Sequence, residues 1–103
     1  MVWYFYIVYF FAGAFLANSV PHFVNGISGQ KFPTPFAHPP GKGLSSPTLN
    51  VWWGFVNFIA GYLLATCVGS FAMGLTFDSL ALLLGVLAIS ILSSIVFGKR
   101  KIP

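Results

Sequence analysis

Three long stretches without a single charge, at about residues 2–20, 51–73 and 79–97, decide what this chain can fold into. Each approaches the ~20 residues that a helix rising ~1.5 Å per residue needs to cross a ~30 Å hydrocarbon core. In hydrocarbon, backbone polar groups find partners only in helices or closed barrels. Barrel strands are ~10 residues of alternating polarity, whereas these runs are about twice as long and continuous. The expected fold class is therefore an all-α integral membrane protein, a single membrane domain of three transmembrane helices.

Charge argues the same way. Only 6% of the residues are charged, against ~25% in a soluble domain, too few to solvate twelve Phe, three Trp and four Tyr. Lys31, Lys42, Lys99, Arg100 and Lys101 oppose the single acid Asp78. They are too sparse and too divided to form the basic face that nucleic acid requires. The lone Cys67 excludes a disulfide within one chain. A cleaved signal peptide would begin with a positive region, yet the first Lys stands at position 31. Residues 2–20 therefore read as a retained span.

Helix ends and orientation follow. Pro21 is expected to close the first span, Asn50 to cap the second, and Asp78 or Ser79 to cap the third. Residues 73–77 leave a tight turn, so spans two and three are expected to pack as an antiparallel hairpin. Lys99, Arg100 and Lys101 follow the third span directly, and basic residues beside a span favour the cytoplasm. Three crossings then put the 21–50 loop inside and the amino terminus outside. Trp3, Tyr4 and Tyr6 would form the outer aromatic belt, and Trp52 and Trp53 the inner one.

The 21–50 segment holds six of the seven prolines, together with Gly26, Gly29, Gly41 and Gly43. Such composition fits neither helix nor sheet. Recurring Phe23, Phe32, Phe36 and Leu44, with prolines that limit chain entropy, point to an ordered loop lying on the inner membrane surface with its Phe side chains dipped in.

At 100° per residue, Asn50, Gly54, Asn57, Gly61, Ala65, Val68 and Ala72 share one stripe of span two. Small residues let helices approach closely, and amides can bond across the contact. Span three carries Ala81, Gly85 and Ala88 on one stripe and Ser90 and Ser94 on roughly the opposite face. Span one carries Gly13 and Ala17, with Ala14 and Asn18 beside them. Tight packing is the plain reading, and two such faces on span three suggest a homo-oligomer. Asn18, Asn57, Ser90, Ser93 and Ser94 would all lie in the inner half of the bilayer, with His22, Asn25 and Asn50 at its boundary. Polar groups gathered at one depth suggest a site roofed by the loop.

The remaining chemistry is thin. His22 and His38 titrate nearest neutrality, but two His without nearby Cys, Asp or Glu fall short of the three or four ligands of a metal site. Residues 40–46 resemble a phosphate-cradling stretch, yet they lack the first Gly of a P-loop and follow no strand. A lipid phosphate suits this loop better. Asp78, at the outer end of span three, reads as a helix cap, and no nucleophile–base pair can be assembled. No cofactor and no metal are expected, and the chain leans away from catalysis.

The motifs His22-Phe23-Val24-Asn25-Gly26, Pro35-Phe36-Ala37, Pro39-Pro40-Gly41, Gly43-Leu44-Ser45-Ser46 and Asn50-Val51-Trp52-Trp53-Gly54 resemble those of a group of small bacterial three-span membrane proteins without an assigned activity. That resemblance implies a bacterial inner membrane. Small multidrug transporters are of similar length but carry a membrane-embedded Glu, and this chain has none. The leading expectation is a non-catalytic membrane protein that binds lipid or a partner protein through His22, Asn25, Lys31, His38, Lys42, Asn50 and Asn57. The alternatives are a small channel or carrier built on Asn18, Gly54, Gly61, Gly85, Ser90 and Ser94, and an accessory subunit of a larger membrane complex.

Overall fold

The computed structural model describes residues 2–99 and contains three helices: α1 (Tyr4–Ile27), α2 (Pro47–Thr66) and α3 (Phe77–Gly98). All three are long and apolar enough to cross a membrane. Their 24, 20 and 22 residues correspond to about 36, 30 and 33 Å of helix.

α1 is the central element. It packs against both other helices, whereas α2 and α3 scarcely touch. The expected hairpin of spans two and three is thus corrected. α2 ends at Thr66 rather than near residue 73, and residues 67–76 carry the chain across the amino-terminal end of α1 before α3 starts. Tyr9 on α1 holds that crossing, donating its hydroxyl to the Val68 carbonyl at 2.8 Å and stacking edge-on against Phe71. A tight turn would have forced α2 and α3 to be neighbours. The longer crossing lets α3 run parallel to α1 on its other side.

Each contact is a small-residue seam. A Cβ on Gly13 would collide with the Leu82 carbonyl of α3, and one on Gly85 with the Phe10 carbonyl of α1. On the opposite side Gly54 and Gly61 of α2 approach the backbone of α1 at Ser19 and Ala12. The Asn50, Gly54, Asn57 and Gly61 positions are all buried, so the sequence stripe is the α1-facing seam. Its extension to Val68 and Ala72 fails, because those residues lie beyond the helix.

The helix ends also differ from expectation. Pro21 lies inside α1, which continues to Ile27. A mid-helix proline costs about 3 kcal/mol in water. Here the turn beyond it buries His22 and Gly26 against α2 and the loop, and Asn25 adds a side-chain bond to the Pro21 carbonyl at 2.7 Å. Ser46, not Asn50, caps α2, its hydroxyl accepting the Leu49 N–H at 3.1 Å with Pro47 in the first turn. Thr76, rather than Asp78 or Ser79, caps α3 by accepting the Ser79 N–H at 3.1 Å. Asp78 turns back and accepts the Ala72 N–H of the crossing at 2.9 Å.

The segment between α1 and α2 is shorter than expected and contains a minimal sheet. β1 (Phe32–Pro33) pairs antiparallel with β2 (Leu44–Ser45), Phe32 opposite Ser45. Beside the pairing, the Thr34 and Ser45 hydroxyls bond at 2.6 Å, and Pro33, Thr34, Ala37 and Ser45 are buried. The molecule is otherwise inverted relative to a water-soluble domain. Ser19, His22, Asn50, Asn57 and Asp78 are inside, while Phe55, Phe58, Tyr62, Leu83, Leu87 and Ile91 are exposed along with most of the large apolar side chains of α2 and α3.

Candidate functional site

Asn50 is the pivot of the loop end. It sits one turn into α2, on the seam, and is fully buried. Its amide nitrogen shares its two protons among the carbonyls of Phe32 at 3.0 Å, Ser45 at 3.2 Å and Ser46 at 3.1 Å. Its oxygen, left as acceptor, takes a bond from Nδ1 of His22 at 2.8 Å. An amide whose nitrogen is wholly committed as donor requires the imidazole proton on Nδ1. A single side chain thereby joins α1, α2 and both strands of the loop. A buried amide is costly unless its bonds are made, and this one makes them all.

Phe32 is positioned by that arrangement. Its ring meets His22 edge-on at 5.3 Å and Phe97 of α3 at 4.8 Å. It therefore sits between the ends of α1 and α3. Phe32 is turned inward, contrary to the expectation that the loop phenylalanines dip into lipid. Phe36 stays outside, 62% exposed, and stacks on Trp53 at 5.1 Å.

Below Phe32 a cleft of about 490 Å³ runs between α1 and α3, with Ala17, Val20 and Pro21 on one wall and Ser90, Ser93 and Ser94 on the other. Ser90 and Ser94 are exposed, as their place roughly opposite the buried Gly85 implies, and with the half-buried Ser93 they border this cleft. Ser90 and Ser94 donate to the Val86 and Ile91 carbonyls of their own helix. Ser93 makes no hydrogen bond among the described residues. A second cleft, of about 460 Å³, lies between the loop tip and the end of α3, lined by Gly41, Lys42, Val96, Phe97 and Lys99. Phe97 lines both.

Of the residues singled out from sequence, the fold brings His22 and Asn50 together, and pairs Asn18 with Asn57 through a 3.0 Å amide bond across the α1–α2 seam. Asn57 also donates to the Trp53 carbonyl at 2.8 Å. Asn25 is spent on its own helix. Gly54, Gly61 and Gly85 are seam residues. Lys31, His38 and Lys42 are exposed on the loop, and only Lys42 borders a cleft. Arg100 and Lys101 lie outside the described residues. Among the described residues, no three His, Cys, Asp or Glu side chains gather where they could hold a metal ion.

Sequence reasoning missed Phe32 as a wedge, Thr34 and Ser45 as the loop's hydroxyl pair, and Tyr9 as the anchor of the crossing. None has a periodic signal, since each acts across a long sequence separation. No protein-family model, no curated protein and no solved structure matches the chain.

Proposed function

We propose that this is a small, non-catalytic, multi-pass membrane protein that binds a membrane lipid at its loop-covered end. The observation that carries this reading is the cleft between α1 and α3, roofed by a phenylalanine that Asn50 and His22 hold in place. Its walls are mostly apolar with a few hydroxyls, the composition of a ligand site. It opens sideways between two helices whose outer faces are apolar, the direction from which a lipid chain would enter. The inverted distribution of polar and apolar residues supports lipid as the surrounding solvent.

The basic residues beside the spans support a cytoplasmic-leaflet position for the loop end, and the resemblance of the loop motifs supports a bacterial inner membrane. Self-association is part of the proposal, since a wholly apolar furrow between α1 and α2, bordered by Val20, Phe23, Gly54 and Phe58, remains uncovered. No observation favours a conduit, because Asn18 and Asn57 bond each other and Ser90 and Ser94 bond their own helix.

Native mass spectrometry of protein released gently from membranes tests the reading. Retained phospholipid on each protomer, reduced when Asn50→Leu frees the roof, is the expected result. A lipid-free monomer, or a stoichiometric complex with another protein, would overturn it. The same spectrum reads the number of copies.

A further inference from the structure

The two clefts that share Phe97 as a lining residue differ in chemistry. The one between α1 and α3 is apolar apart from its serines, while the one at the loop tip carries Lys42 from the loop and Lys99 from the end of α3. Two lysines from distant parts of the chain border one space, and the described structure holds no carboxylate there, the only acid being Asp78 at the opposite end of α3. Ser93 stands six residues before Lys99, about 9 Å of helix rise and about 120° around the helix axis. That separation is comparable to the ~5–7 Å headgroup layer on each side of a bilayer, given the reach of a lysine stem. Its hydroxyl is also the one in the serine wall that makes no bond to its own helix.

We infer that the lipid bound here is a glycerophospholipid with an anionic headgroup. Its phosphate lies between Lys42 and Lys99, an ester carbonyl accepts from Ser93, and one acyl chain follows the α1–α3 cleft under Phe32. This inference rests on the lipid-binding reading and adds headgroup selectivity to it. Apolar walls alone hold any acyl chain, so selection must come from the rim. Each lysine close to an anionic lipid surface contributes about fivefold in affinity, so the pair is expected to favour an anionic headgroup by roughly five- to twenty-fivefold over a zwitterionic one.

The experiment offers detergent-purified full-length protein equimolar phosphatidylglycerol and phosphatidylcholine of identical chains, and reads the bound fraction of each by native mass spectrometry. Wild type is expected to prefer phosphatidylglycerol. The Lys42→Gln/Lys99→Gln double variant is expected to retain lipid without preference. Lys31→Gln, which removes one charge from the same loop outside the cleft, is expected to keep the preference. Loss of preference in Lys31→Gln equal to that in the double variant would assign selection to diffuse surface charge and overturn the inference. Bound lipid with no headgroup preference in wild type would overturn it and leave the lipid-binding reading standing. Absence of bound lipid in wild type would sink both.

Discussion

Replacing Asn50 with leucine keeps the branched side-chain shape, in a somewhat larger volume, while removing its bonds to His22, Phe32, Ser45 and Ser46 together. Each buried group left without a partner costs about 1–3 kcal/mol, so Asn50→Leu is expected to destabilise the fold by several times the effect of an exposed substitution. The loop joined through Asn50 should then be cut first: limited proteolysis is expected to begin within residues 28–46, with a lowered thermal midpoint in the same detergent. An unchanged cleavage pattern would show that the Thr34–Ser45 pair suffices to hold the loop. Asp78 offers the contrasting case at the other end. It is 3% exposed, Oδ2 accepts the Ala72 N–H, and Oδ1 has no partner among the described residues. Asp78→Asn retains an acceptor for that N–H and is expected to remain within about 1 kcal/mol of wild type, whereas Asp78→Leu strands it and costs about 1–3 kcal/mol. Denaturation of both variants in one detergent decides this. Equal losses would mean that the charge, rather than the bond, holds the crossing.

Between helices the governing quantity is backbone separation. Because a Cβ at Gly85 meets the carbonyl of Phe10, which cannot rotate away, Gly85→Ala is expected to push α3 off α1 and lower the thermal midpoint. Gly98→Ala, where a Cβ meets nothing within 4 Å among the described residues, is expected to be silent. A neutral Gly85→Ala would show that α3 can slide past α1 without loss. The seams were legible in the sequence because small residues and amides recur with the period of a helix: Asn50, Gly54, Asn57 and Gly61 needed only 3.6 residues per turn to be placed on one face. The apolar runs likewise gave the helices. Their ends were not legible, because tertiary contacts decided them. Pro21 reads as a stop in isolation, yet the turn after it buries His22 and Gly26. Asp78 reads as a cap, yet its partner is an amide in the preceding connection. Phe32 could be seen as apolar but not as a wedge between α1 and α3, since that requires knowing that α3 returns beside α1 instead of α2. Of the candidate site, the His22–Asn50 association was anticipated by depth alone, and the three loop carbonyls that complete it carry no side-chain signal at all.

For the molecule as a whole, the order of packing has a consequence for orientation. With α1 central and α3 parallel to it, the loop tip and the end of α3 come to the same end of a body 48 Å long. Lys31, Lys42 and Lys99 therefore share that end, and the crossing at residues 67–76 lies at the other. Basic residues flanking spans are retained on the cytoplasmic side, so the loop end should face the cytoplasm and the crossing the exterior. Cys67 is the natural thiol and is exposed, which makes a Cys67→Ala background the starting point for site-specific labelling. Ser70→Cys places a thiol on the crossing and Lys42→Cys places one on the loop tip, both at exposed positions. In spheroplasts expressing either variant, a membrane-impermeant maleimide is expected to label position 70 at once and position 42 only after lysis. The reverse pattern would invert the orientation and move the lysine-rimmed cleft to the outer leaflet. Labelling of both positions in intact spheroplasts would mean that insertion occurs both ways, which three basic positions at one end and none on the crossing should prevent.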